Sequence, residues 1–194
     1  MQLIGITGYI GSGKTTIGNI LQSMGYVVYD MDKWCRKMYF DKMFLKIIKH
    51  HFPFCFQNNV FNKKILRQYV FENKEELKKL ESLTHPYLIN KLKKQIHQNR
   101  FKNSLFFIET ALLYQMKLDK YCTFVIQTTA PVGVMEKRVM KRDNIQKQDY
   151  LNILDKQSSF KKFDKKADFI IDTYKTLGII KAELINILQR IEVC

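Results

Sequence analysis

Five short runs of nearly uninterrupted apolar residues punctuate the chain: Leu3-Ile4-Gly5-Ile6, Tyr26-Val27-Val28-Tyr29, Leu105-Phe106-Phe107-Ile108, Phe124-Val125-Ile126 and Phe169-Ile170-Ile171. Strands that are apolar at every position, not at alternate ones, suit a parallel sheet covered on both faces. Between them the helical period takes over. Ile17, Ile20, Leu21 and Met24 fall at i, i+3, i+4 and i+7, and Leu177, Ile180, Leu184, Ile187, Leu188 and Ile191 lie on one helical stripe. Alternation of such strands and helices predicts an α/β fold, with a parallel sheet of about five strands flanked by helices.

One long stretch breaks the alternation. Residues 34–100 read mostly helical, interrupted at 53–62, and Asn73 with Glu76 three residues later marks the start of a long helix carrying Leu77, Leu80, Leu88, Leu92 and Ile96. Within it, His85-Pro86 is expected to kink or restart the helix, because proline removes a backbone donor. A second basic helical segment covers about 131–166. The expected organisation is a nucleotide-binding core of residues 1–33 and 101–194 that includes a lid at about 131–166, with 34–100 as a helical substrate-binding insertion.

The chemistry starts just after the first strand. Gly8-Tyr9-Ile10-Gly11-Ser12-Gly13-Lys14-Thr15 satisfies G-x-x-x-x-G-K-[ST], and six of the chain's eight glycines fall within residues 1–25. Glycines let a loop wrap so that backbone N–H groups converge on phosphate oxygens, and the following helix points its positive dipole there. Gly8, Gly11, Ser12, Gly13, Lys14, Thr15 and Thr16 are therefore the expected ATP-binding residues, with Lys14 on the β/γ-phosphates and the Thr15 hydroxyl on Mg²⁺. A GTPase is excluded by the missing DxxG segment and by Asn62-Lys63-Lys64-Ile65, which lacks the aspartate of NKxD. Small-molecule kinases remain.

Composition narrows the setting. The 194 residues are 46% hydrophobic and 26% charged, which excludes a disordered tail or a fibre. No apolar run reaches the ~18 residues of a membrane span. Cys35, Cys55, Cys122 and Cys194 show neither CxxC nor zinc spacing, and the chain enters its first strand without a leader pattern. A cytoplasmic protein with reduced thiols, no membrane partner and a monomeric or weakly homo-oligomeric state is expected. Thirty-three basic against 18 acidic residues give +15, which favours anionic partners. An ATP-dependent nucleic-acid-binding protein would need a basic stripe with stacking aromatics, and none is seen. That alternative stays behind a second one, another nucleoside or nucleotide kinase of the same class.

Asp30 and Asp32 follow the second strand, so both carboxylates are expected at the carboxyl edge of the sheet, where alternate positions face one crevice. One of them would accept a substrate hydroxyl proton. Glu109 ends the third strand and is a candidate Mg²⁺ carboxylate, near Thr110, Leu112 and Gln115. Arg138 and Arg142, four apart, share a helix face suited to bidentate phosphate contact. Residues 137–166 hold ten basic and four acidic side chains. Trp34 is a candidate pocket residue.

In order and spacing these pieces resemble the dephospho-CoA kinase family over nearly the whole chain. Residues 6–16 are similar to its opening loop, Asp30-Met31-Asp32 with Arg36 to its D-x-D…R segment, and His85-Pro86 to its H-P pair. Glu109 through Gln115 resembles D-x-P-L-L-x-E, Lys137-Arg138 to Arg142-Asp143 the lid, and Gln157 with Ala167-Asp168-Phe169-Ile170-Ile171-Asp172 the closing segment. The resemblance implies a P-loop NTPase-type core with a helical substrate domain and a lid, and transfer of the ATP γ-phosphoryl to the ribose 3′-hydroxyl of dephospho-CoA with Mg²⁺. It implies Asp32 as base, Lys14, Arg138 and Arg142 as catalytic cations, and Asp30, Arg36, His85, Pro86 and Leu112 as substrate contacts. Tyr9, Ala111, Gln115, Phe160 and Thr173 depart from the family pattern, and Lys161 or Lys162 would supply the charge missing at Phe160.

Overall fold

A computed structural model describes residues 2–99, 104–157 and 166–193. Phe160, Lys161, Lys162 and Cys194 lie outside the described residues. The chain divides into two units, Met1–Asp30 with Asn99–Cys194, and Met31–Gln98.

The first unit is built on a parallel sheet. Among the described residues its strands are β1 (Gln2–Thr7), β2 (Val27–Asp30), β5 (Leu105–Glu109), β6 (Phe124–Thr129) and β7 (Phe169–Asp172), in the order β2-β5-β1-β6-β7. All four pairings are parallel, so every strand ends at the same edge. The apolar runs named above are these strands, and β5 is buried along its whole length.

Helix α1 (Lys14–Ser23) and helix α8 (Leu177–Val193) cover one face of the sheet. Ile17 and Leu21 from α1 and Ile180, Leu184, Ile187, Leu188 and Ile191 from α8 join Ile4, Ile6, Phe107, Ile126 and Ile171 in one buried cluster. Each such side chain contributes roughly 1.5–3 kcal/mol by leaving water. Helices α6 (Val132–Asp143) and α7 (Lys147–Lys156) follow β6, joined through Asn144 in the left-handed conformation.

The second unit holds α2 (Met31–Lys37), α3 (Lys42–His51), β3 (Phe56–Gln57), β4 (Val60–Phe61), α4 (Lys63–Glu72) and most of α5 (Lys74–Asn99). Two details differ from expectation. The interruption at 53–62 is a 3₁₀ turn leading into the β3–β4 hairpin, whose corner residues Asn58 and Asn59 have φ 48 and 64°. Asparagine tolerates that conformation, so two of them make a two-residue hairpin turn without glycine. Helix α5 also runs without restart through Pro86. Proline costs one backbone bond there, and the stripe of Leu80, Thr84, Leu88 and Leu92 buried on both sides of it holds the axis together. Among the described residues no helix is long and apolar enough to cross a membrane.

The Asn73 signal is realised as a cap: its Oδ1 accepts from the N–H groups of Glu75 at 3.0 Å and Glu76 at 3.3 Å. Asn73→Ala is expected to cost about 1 kcal/mol in urea denaturation, and Asn73→Asp much less. An unchanged midpoint for the alanine variant would show that the cap contributes nothing.

Candidate active site

The turn from β1 into α1 is shaped by Gly8, Gly11 and Gly13, all at positive φ. Gly13, at φ 93°, cannot be replaced for a second reason: a Cβ there would lie 2.6 Å from Thr173 Oγ1. The loop closes on itself through Ser12 N–H to the Tyr9 carbonyl at 3.1 Å, while Thr16 N–H donates to the Gly13 carbonyl at 3.0 Å. The Ser12 hydroxyl lies 2.6 Å from Thr128 Oγ1. Lys14 crosses the loop and donates from Nζ to the carbonyls of Gly8 at 3.1 Å and Tyr9 at 3.2 Å.

Two carboxylates stand at the same sheet edge. Asp30 and Glu109 are the register partners that end β2 and β5. Glu109 is buried and accepts a hydrogen bond from the Thr15 hydroxyl at 2.6 Å. The hydroxyl donates to the carboxylate and keeps its lone pairs for a cation. Hydroxyl and carboxylate oxygens are the hard donors magnesium takes, and magnesium usually adds substrate phosphates to them. Among the described residues no group of three or more His, Cys, Asp or Glu forms a cation cage from protein ligands alone. The donor set therefore fits magnesium shared with a nucleotide.

Helix α6 brings the arginines to the loop. Gly11, Gly13, Lys14, Thr15, Thr16, Arg138, Val139 and Arg142 line one cavity of about 190 Å³. The two guanidinium groups are held differently. Arg138 donates to the Gly11 carbonyl at 3.3 Å, to Thr173 Oγ1 at 2.9 Å and to the Thr173 carbonyl at 2.7 Å. Arg142 places Nε and Nη2 on Asp143, both at 2.7 Å, and these hydrogen bonds raise its pKa above the ordinary value.

The loop apex is tied to the helices that follow β6. Tyr9 and Ile10 pack against the buried cluster of Ala130, Met135, Val139 and Tyr150. Ile10 N–H also donates to Gln157 Oε1 at 3.0 Å. This accounts for a tyrosine at position 9: its ring covers apolar surface that a glycine would leave wet.

The remaining candidates are divided between the two units. Leu112 is partly exposed, with its N–H on Thr110 Oγ1 at 3.1 Å, and the Gln115 amide is buried with no hydrogen-bond partner. Asp32 and Arg36 are four apart on α2 in the helical unit. Their setting corrects one expectation: β2 ends at Asp30 and α2 starts at Met31, so strand alternation does not carry on to Asp32. Trp34 carries the Lys91 ammonium over its ring at 5.3 Å. His85 is partly buried, and desolvation lowers its pKa against the opposing pull of Glu81.

Thr128 and Thr173 have no motif around them that sequence reasoning assigns to the loop. Both are buried threonines at or just beyond the end of an apolar strand, and Thr173 is also one of the departures from the family pattern named above.

A phosphate loop at the carboxyl edge of a parallel sheet, backed by arginines from a neighbouring helix, defines a kinase of the P-loop class. The family model for dephospho-CoA kinase matches residues 2–177, and the chain belongs to that family. It is 30% identical over 190 residues to the dephospho-CoA kinase of Bartonella henselae, covering 97% of both chains. Among solved structures, a Thermus thermophilus protein superposes with a TM-score of 0.85 at 28% identity, covering 97% of each chain. The dephospho-CoA kinase from Campylobacter jejuni gives 0.68 at 30% identity, over 97% of this chain and 96% of that one.

Two outcomes test this geometry. The unfolded chain binds a proton at His85 near its ordinary value of 6.5, before the folded one does. Stability is therefore expected to fall as pH drops through 6.5 and to level off below the folded pKa, and His85→Gln to flatten that slope in thermal melts. A parallel slope in the variant would remove His85 as the cause. A Cβ at Gly18 would lie 2.8 Å from Glu109 Oε2. Gly18→Ala is expected to push the carboxylate off Thr15 and weaken nucleoside triphosphate binding in magnesium about 10-fold. Calorimetry in magnesium and in EDTA reads this; equal loss in both would point to the loop instead.

Proposed function

We propose that this chain transfers the γ-phosphoryl group of ATP to the ribose 3′-hydroxyl of dephospho-CoA, giving coenzyme A and ADP. The observation that supports it most is the cavity that Lys14, Thr15, Arg138 and Arg142 line together, in a chain belonging to the dephospho-CoA kinase family. In this reading the enzyme works in the cytoplasm as a monomer or weak homo-oligomer, with no nucleic-acid or membrane partner. Residues 131–166 act as the lid, and the helical unit supplies the substrate-binding insertion.

The residues divide the work as follows. Backbone N–H groups of the loop and the α1 dipole hold the β- and γ-phosphates. Lys14 leaves the Gly8 and Tyr9 carbonyls for phosphate oxygen, a stronger acceptor because it is charged. Thr15 and Glu109 would hold Mg²⁺, which would supply positive charge to neutralise the phosphates. Arg138 and Arg142 face the transferring group, where charge spreads over its equatorial oxygens. The 3′-oxygen attacks the γ-phosphorus as the bond to the β-phosphate oxygen breaks, and the hydroxyl proton passes to Asp32. Asp30, Arg36, His85, Pro86 and Leu112 orient the acceptor.

The test is ADP release from Mg·ATP with dephospho-CoA, adenosine, AMP or no acceptor. Turnover that needs dephospho-CoA and disappears in Lys14→Ala is expected. Asp32→Asn is expected to retain ATP binding while losing roughly 10²-fold or more in kcat. Turnover with AMP or adenosine instead would move the protein to a neighbouring kinase, and near-normal kcat in Asp32→Asn would remove Asp32 as the base.

A further inference from the structure

Thr173 lies just beyond β7 and is 3% exposed. Its N–H is spent on the Thr129 carbonyl at 2.8 Å, which fixes the backbone to the end of β6. The side chain then joins the loop after β1 to helix α6. Its hydroxyl donates to the Ser12 carbonyl at 2.7 Å, with the Thr129 carbonyl also within 3.2 Å, and accepts from Arg138 Nη1 at 2.9 Å. Its own carbonyl accepts from Arg138 Nη2 at 2.7 Å.

The consequence follows from the shape of a guanidinium. It is planar and carries five N–H donors: one on Nε and two on each Nη. Thr173 and the Gly11 carbonyl take both Nη1 donors and one Nη2 donor. What remains is Nε–H with the second Nη2–H, the side-on fork that matches two oxygens of one phosphate. Because the group is rigid, fixing its outer edge also fixes the direction of the remaining edge. Arg138 lines the cavity together with Lys14, Thr15 and Thr16. Arg142 differs: its side-on fork lies on Asp143 of its own helix, and its side chain is 59% exposed.

We propose that Thr173 is a positioning residue that sets Arg138 as a phosphate-binding fork before nucleotide arrives, so that of the two arginines only Arg142 has to change partners. The inference rests on the phosphotransfer reading for its kinetic test alone.

In the full chain, Thr173→Val keeps the branched shape and removes the hydroxyl, whereas Thr173→Ser keeps the hydroxyl. Thr173→Val is expected to lower kcat about 10-fold or more, since a small misplacement of a catalytic group has effects of that order. Thr173→Ser is expected to restore most of the loss. In an Arg138→Ala background Thr173→Val is expected to cost nothing further, because the two act as one unit. Independent, multiplying losses in the double variant would overturn the proposal and leave Thr173 a packing residue.

Nitrogen-15 relaxation of the arginine Nε–H groups in the unliganded parent protein needs no Thr173 variant and no turnover. Arg138 is expected near an order parameter of about 0.85, the rigid-backbone range. A value below about 0.6, in the flexible range, would overturn the proposal even with full kinase activity. Loss of turnover with every acceptor, beside a rigid Arg138, would instead sink the kinase reading and leave the positioning role intact.

Discussion

The site depends on how closely the exit loop of β1 approaches the ends of β6 and β7. Gly13 lies against Thr173 with no room for a Cβ, and the Ser12 hydroxyl sits 2.6 Å from Thr128. That contact fixes the loop from behind, so its open side is left to the cavity. It also provides the anchor for Arg138, which reaches the same threonine from α6. A loop whose backbone is held at this many points loses little entropy on binding phosphate, which is where preorganised sites gain affinity.

Charge follows the same geometry. The chain carries +15, yet β5 and β2, the two strands on one side of β1, both end in carboxylates, Glu109 and Asp30. Burying Glu109 is costly unless it is hydrogen-bonded, and the Thr15 hydroxyl meets that need at 2.6 Å. The same bond turns Thr15 toward cation binding. Its position at the first turn of α1 is set by the loop, and that of Glu109 by the end of β5. The long-range electrostatics of the lysine-rich surface then act on steering, which salt screens, while the cavity acts on chemistry.

The helical unit shows where local rules and tertiary packing part company. Asn73 caps α5 as its side-chain chemistry requires, whatever lies around it. Pro86 ought to interrupt the same helix and does not, because one missing hydrogen bond is outweighed by the apolar stripe on either side. The Asn58-Asn59 hairpin was hidden for a different reason. Two-residue strands leave no periodicity to read, and asparagine in the left-handed region is a minority conformation that the neighbouring pairing selects.

By itself the sequence determined the five strands, the helices that cover them, the phosphate loop and the candidate arginines. Each is written in contiguous residues: apolar runs, a 3.6-residue period, a fixed spacing of glycines ahead of Lys14 and Thr15, a four-residue step from Arg138 to Arg142. Only the tertiary structure decided which of these groups act together. Thr15 is 94 residues from Glu109, Ile10 is 147 from Gln157, and Ser12 is 161 from Thr173. Threonine and glutamine carry no charge pattern or period that announces such partners. Parallel strands joined by long crossovers bring distant residues to one sheet edge, and strand order, which no local pattern encodes, chooses which ones meet there.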